Sequence, residues 1–217
     1  SFLGAGRLGI GERLHADHRV RLVPVALACD EFGELRIVAA DTRDRQRVTE
    51  FIAAALESFD QQKWITQFWM YGTSLKSFGE WLVQLWSESL GKNLGREGFP
   101  AVRVSTPVVA LGAIDQHSML QQTMEGVQDK WPVFIRSKFH ETGGDLVSAG
   151  FFPETDLVQG KKLSDVLRVE AIATQEALEA QGIYTQTLMI DRLDEHNFGY
   201  WFMFFELVVA GLGEALS

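Results

Sequence analysis

ITQFWMYGTSLKSFGEWLVQLWSESLGK, residues 65–92, is the stretch on which the fold turns. Ile65–Tyr71 is a run of mostly apolar and aromatic side chains that halts at Gly72-Thr73-Ser74. Such a run, bounded by turn residues, reads as a buried strand. Ser74 stands where its hydroxyl can cap a following helix. Leu75, Phe78, Leu82, Leu85 and Trp86 then recur at helical spacing. Gly91 supplies a stop, and Lys92 a cation for the negative helix end. Strand, tight turn and helix are the parts of a parallel sheet.

Downstream the alternation continues. Residues 102–111 read as a strand running into Gly112, and residues 117–124 as the start of a helix. Residues 131–135 read as a strand. Residues 139–160 read mostly as loop, with a short strand at 146–151. Leu163–Ala180 has helical period, with Val166, Leu167, Ala171, Ile172 and Leu178 on one side. Residues 185–190 form a last strand and 196–215 a very apolar last helix. This order predicts an α/β three-layer sandwich, a mainly parallel sheet flanked by helices. Upstream, the apolar runs 20–29 and 35–39 are linked by Asp30-Glu31-Phe32-Gly33, which predicts a β-hairpin. Residues 45–59 carry a helical apolar face of Val48, Phe51, Ile52, Ala55, Leu56 and Phe59. The expected organisation is a hairpin–helix segment over 1–60 and the sheet domain over 61–217.

Composition narrows the function. The chain has 217 residues, 46% of them apolar, ample for a packed core. A net charge of −9 disfavours a nucleic-acid surface, which needs cations to displace counterions, but permits a local anion site. The single Cys29 lies in an apolar run and reads as a buried thiol, in keeping with a reducing cytoplasm. The opening residues lack the pattern of a secretory signal. The apolar run 198–212 is shorter than the ~20 residues of a membrane span and contains Glu206, so it reads as a core helix with no membrane role. Gly4-Ala5-Gly6-Arg7-Leu8-Gly9 has dinucleotide-loop spacing but no strand before it, so no cofactor is expected. His15-Ala16-Asp17-His18 reads as a surface turn rather than a metal site, for want of further ligands, so no metal is expected. The six tryptophans sit on apolar elements and read as core or interface anchors.

In parallel sheets ligands bind beyond the carboxyl ends of the strands. Two constellations lie there. Gln84 and Glu88 are four apart and share one helix face. A glutamate near the end of a half-buried helix, as Glu88 is, would suit a base working near neutral pH, while a solvated helix edge accounts for the same spacing. Gly112-Ala113-Ile114-Asp115-Gln116-His117 is a small-residue turn followed by a polar triplet. His117 is suited to proton transfer, and Asp115 as a helix cap is the plainer alternative.

These segments resemble the glucose-6-phosphate isomerase family. Tyr71-Gly72-Thr73-Ser74 followed by Gln84…Glu88-Ser89…Gly91-Lys92 is similar to its tyrosine loop and Q-x-x-x-E-S-x-G-K helix. Gly112…Asp115-Gln116-His117-Ser118 resembles its G-x-x-x-Q-H turn in the bacterial D-Q-H-S form. Leu163 to Gly182 looks like its following helix, and Phe204-Phe205-Glu206-Leu207 resembles its F-F-E-L helix. The order holds from about residue 63 to 217. The resemblance implies the second sugar isomerase (SIS) domain of the family and an aldose–ketose isomerisation of a sugar phosphate through a cis-enediol. Glu88 then matches the base and His117 the ring-opening histidine, which reaches the site from the other subunit of a homodimer. Gln84, Gln116 and Gly112 match site-lining positions. It implies neither cofactor nor metal, and a cytoplasmic enzyme of glycolysis and gluconeogenesis. The family's Ser/Thr phosphate loop and G-G-R-[FY]-S arginine motif are not found, and its Q-x-G-[VI]-E-x-x-K lysine segment would lie just past Ser217. Residues 1 to about 60 match none of its motifs. The expectation is therefore half of an active site, inactive alone. A phosphosugar-binding module without turnover and an inert interaction domain are the alternatives.

Overall fold

The computed structural model describes residues 26–29, 35–38, 42–95, 98–139 and 159–216. The 4–9 glycine motif, the 15–18 histidine pair and the strand expected at 146–151 lie outside them. The chain divides into two compact units: Ser1–Trp64, Leu85–Ser105 and Phe202–Ser217 form one, Ile65–Gln84 and Thr106–Trp201 the other.

The second unit is built on a four-stranded parallel sheet of β3 (Ile65–Tyr71), β4 (Thr106–Leu111), β5 (Lys130–Phe139) and β6 (Gln186–Arg192), in the order β4-β3-β5-β6. Every residue of β3 after Ile65 is buried, as expected of a strand covered on both faces. One face carries Trp69, Tyr71, Ala110 and Phe134, packed with Ala171 and Leu178 of helix α4 (Leu163–Ala180). Phe134 stacks on both Trp69 and Tyr71, with centroids 6.1 and 5.8 Å apart. On the other face runs the start of α2 (Lys76–Leu90). It comes so close at Gly79 that a Cβ there would meet Val109 at 2.5 Å and Met70 at 3.0 Å. Phe78 of α2 also packs edge-on to Phe198, 5.8 Å away, in the first turns of α5 (Glu195–Ala215). These layers are the sandwich expected from the alternation of strands and helices.

Boundaries moved more than elements did. β5 has ten residues where five were expected, because it runs on through polar Arg136, Ser137 and Lys138. β4 starts at Thr106 rather than residue 102. Ser74 caps no helix: it lies inside a 3-10 turn, Thr73–Leu75, whose capping position is Gly72 and which has no side-chain cap bond. The cap of α5 is Asp194, whose carboxylate accepts from the Asn197 backbone N–H at 2.8 Å and from its side-chain amide at 2.7 Å.

The first unit holds the antiparallel pair β1 (Ala26–Cys29) and β2 (Leu35–Val38), joined as the expected hairpin, and helix α1 (Thr42–Asp60). All six residues of the expected α1 face are buried. Phe51 meets Phe204 and Phe205 edge-on at 5.9 and 5.6 Å, and Phe59 meets Trp86 at 6.4 Å. Trp64, read as a core or interface anchor, is half-buried and carries the Arg103 guanidinium 4.2 Å from its ring centroid. The last helix has 21 residues, one more than expected from sequence, and by length and composition it could cross a membrane. Its Phe204, Phe205, Val208, Val209 and Leu212 are nevertheless buried.

Truncating Phe51 to Ala removes the ring between those two phenylalanines. The expected loss is about 3–5 kcal/mol, read as a lower urea midpoint. Hydrogen bonds from Asn197 hold the Asp194 carboxyl below its ordinary pKa. That stabilisation is complete above the unfolded carboxylate pKa and is lost as pH falls through the lower folded value. Asp194→Ala should therefore lower the melting temperature at neutral pH. Its deficit against the unsubstituted chain should shrink once the pH drops below about 4.

Candidate active site

Gln84 and Glu88 lie one turn apart on α2, and both side chains are exposed. Glu88 thus stands on a solvated helix edge, the plainer reading of the spacing. The boundary between the two units falls between these residues. The C-terminal stop is as expected: α2 ends at Leu90, the Gly91 N–H donates to the Ser87 carbonyl at 3.0 Å, and Lys92 Nζ donates to the Glu88 carbonyl at 2.6 Å.

Gly112, Gln116 and His117 come together beyond the carboxyl end of β4. The turn contains Ala113 with φ of 67°, a left-handed conformation that costs a residue bearing a Cβ. Asp115 sits at the capping position of the next helix but makes no cap bond. Its carboxylate reaches back to accept from the Leu111 N–H at 2.7 Å, closing the turn onto the strand. A five-residue π-helix, Gln116–Leu120, follows and leads into α3 (Gln121–Glu125), where a plain helix was expected. Such turns are rare and concentrate at functional sites. His117 is exposed on it.

Gln116 is committed inside the protein. Its Nε2 donates to Tyr71 Oη at 2.8 Å and to Thr174 Oγ1 at 2.6 Å. This ties the turn after β4 to the end of β3 and to α4. Its carbonyl oxygen remains as the group that can accept from a ligand hydroxyl. Gly112 has a packing reason of its own: a Cβ there would collide with the Tyr71 ring. Burial pushes the Tyr71 phenol above its ordinary pKa, against opposing hydrogen bonds with Thr174 and Gln116. Sequence reasoning gave Thr174 no role, because a threonine on an apolar helix face carries no pattern of its own. Among the described residues no group of three or more His, Cys, Asp or Glu side chains could hold a metal.

Comparison with known proteins gives this arrangement its setting. The chain is 33% identical over 156 residues to the probable glucose-6-phosphate isomerase of Methanococcus maripaludis, covering 72% of this chain and 33% of that one. It is 30% identical over 219 residues to the glucose-6-phosphate isomerase of Carboxydothermus hydrogenoformans, covering 96% of this chain and 47% of the relative. The chain belongs to the glucose-6-phosphate isomerase family. It spans less than half the length of these isomerases. A Thermus thermophilus protein of solved structure, described as a hypothetical protein, superposes with a TM-score of 0.65 and 26% identity over 80% of this chain and 44% of that one. A glucose-6-phosphate isomerase from Chlamydia trachomatis shares the fold at a TM-score of 0.60 and 21% identity, over 80% and 38%. No family model matches the chain. Residues 1–60 carry no recognisable isomerase motif, yet the similarity extends across them.

Replacing Gln116 by Leu removes both bonds and leaves two buried hydroxyls short of a donor. The expected cost is about 1–3 kcal/mol by urea denaturation.

Proposed function

We propose that this chain supplies one half of a glucose-6-phosphate isomerase site, interconverting glucose 6-phosphate and fructose 6-phosphate by proton transfer through a cis-enediol. The observation that carries this reading is the conjunction of Gln84 and Glu88 on an exposed helix turn with a Gly112…Gln116-His117 turn at a strand's carboxyl end. It occurs in a chain at least 30% identical to such isomerases. Glu88 takes the proton from C2 of the open aldose and returns it to C1, or the reverse. An exposed carboxylate on a rigid helix is pre-positioned for this, and burial would come from substrate and the rest of the site. His117, exposed at its turn, moves the ring-oxygen proton during opening, on a surface open to a second subunit. A homodimer is part of the proposal, as is a cytoplasmic location. Gln84 lines the sugar. Gln116 holds the turn through its amide nitrogen and offers its carbonyl to a sugar hydroxyl. Residues 61–217 act as the SIS-like domain and residues 1–60 as the hairpin–helix attached to it.

The phosphate loop and the arginine motif of the family are not found in these 217 residues. The polypeptide alone is therefore expected to show little or no isomerase activity, and a turnover near that of an intact isomerase would refute this half-site reading. The base is tested by Glu88→Gln in an isomerase that carries this segment. The expected result is a loss of several orders of magnitude in kcat with KM little changed. An unchanged kcat removes Glu88 from the mechanism. Sugar-phosphate binding without any turnover would instead favour a sensing module.

A further inference from the structure

A cavity of about 260 Å³ opens in the second unit and includes none of Gln84, Gly112, Gln116 or His117 in its lining. Its polar side is Tyr71, Arg136, Lys138 and Arg168, and Leu167 and Met189 lie on its apolar side. The sheet register explains the grouping. Arg136 pairs with Tyr71 on one side and with Met189 on the other, so three adjacent strands meet there toward their carboxyl ends. α4 brings Arg168 and Leu167 over them.

Among the described residues three cations line this space and no carboxylate does, in a chain whose net charge is −9. Lys138 and Arg168 have outer partners in Asp191 and Asp165, but all four side chains are more than half exposed. Such pairs hold weakly and can be exchanged for a better anion. Arg136 is different. Its Nε is buried, and among the described residues nothing accepts from it. Burial and the nearby Arg168 charge both work against the Arg136 cation. A buried guanidinium N–H without an acceptor is costly, and a fork of N–H donors with a second Arg and a Lys beside it fits a phosphate better than a carboxylate. The volume suits a small molecule, and the apolar wall suits its carbon skeleton.

We propose that this cavity, which adjoins the His117 turn through Tyr71 but has neither Gln116 nor His117 in its lining, binds a small phosphomonoester, with Arg136 and Arg168 holding the phosphate. The inference does not rest on the isomerase reading. The test is calorimetric titration of the 217-residue chain with inorganic phosphate at constant ionic strength, with chloride and sulfate as controls. One saturable site is expected, weakened about tenfold or more in Arg136→Gln and in Arg168→Gln, and unchanged in Glu88→Gln. Arg168 is exposed on α4, so Arg168→Gln keeps the test valid if Arg136→Gln fails to fold. Absence of saturable heat overturns the proposal. So does phosphate binding that Arg168→Gln leaves at full strength, or a heat that chloride reproduces.

Discussion

The second unit depends on β3 being buried along both faces and hydrogen-bonded along both edges. A strand in that position has no solvent to satisfy its backbone, so β4 and β5 must flank it in parallel. Parallel neighbours cannot be joined by hairpins, and helices must cross between them. The layers follow: α4 on the Trp69–Tyr71 face and the start of α2 on the Met70 face. Where β3 ends, the constraint turns into chemistry. Tyr71 is the last residue of that strand, with a buried ring and a hydroxyl held by Gln116. The turn bearing His117 is thereby fixed to the middle of the sheet.

The candidate site shows a division of labour among neighbours. Gln116 spends its donors inside the protein, and His117, one residue on, faces outward. The π-helix accommodates both needs within two consecutive positions. Asp115 contributes by closing the turn onto Leu111 rather than by capping. Gly112 is required for space, since the Tyr71 ring lies where its side chain would be. The residues beside the exposed His117 are thus held by packing and hydrogen bonds that do not involve a ligand.

Much of this was legible in the sequence, for reasons that can be named. The apolar periods of residues 48–59 and 65–86 report burial directly, and burial sets the elements. The Gln84–Glu88 spacing and the Gly112–His117 turn were readable because each is local. What was not legible is long-range or conformational. The Gln116–Thr174 bond joins positions 58 apart, and nothing in a threonine at one helix position announces its partner. Ser74 carries the right chemistry for a cap, but a 3-10 turn took its place. The extension of β5 through Arg136 to Phe139 was missed because a polar run at the carboxyl end of a strand looks like loop. That same extension is what brings Arg136 beside Tyr71.

The π-helix has a consequence for how such chains can diverge. It is, in effect, one residue more than an α-helical turn would hold. Losing a residue there would rotate everything C-terminal to it by about 100°, carrying Thr123 away from Gln67, with which it shares a buried hydrogen bond. Gaining one would misplace His117 relative to Gln116. Length changes in descendants of this sequence should therefore collect in the surface connections, and residues 112–123 should keep their count even where the side chains drift.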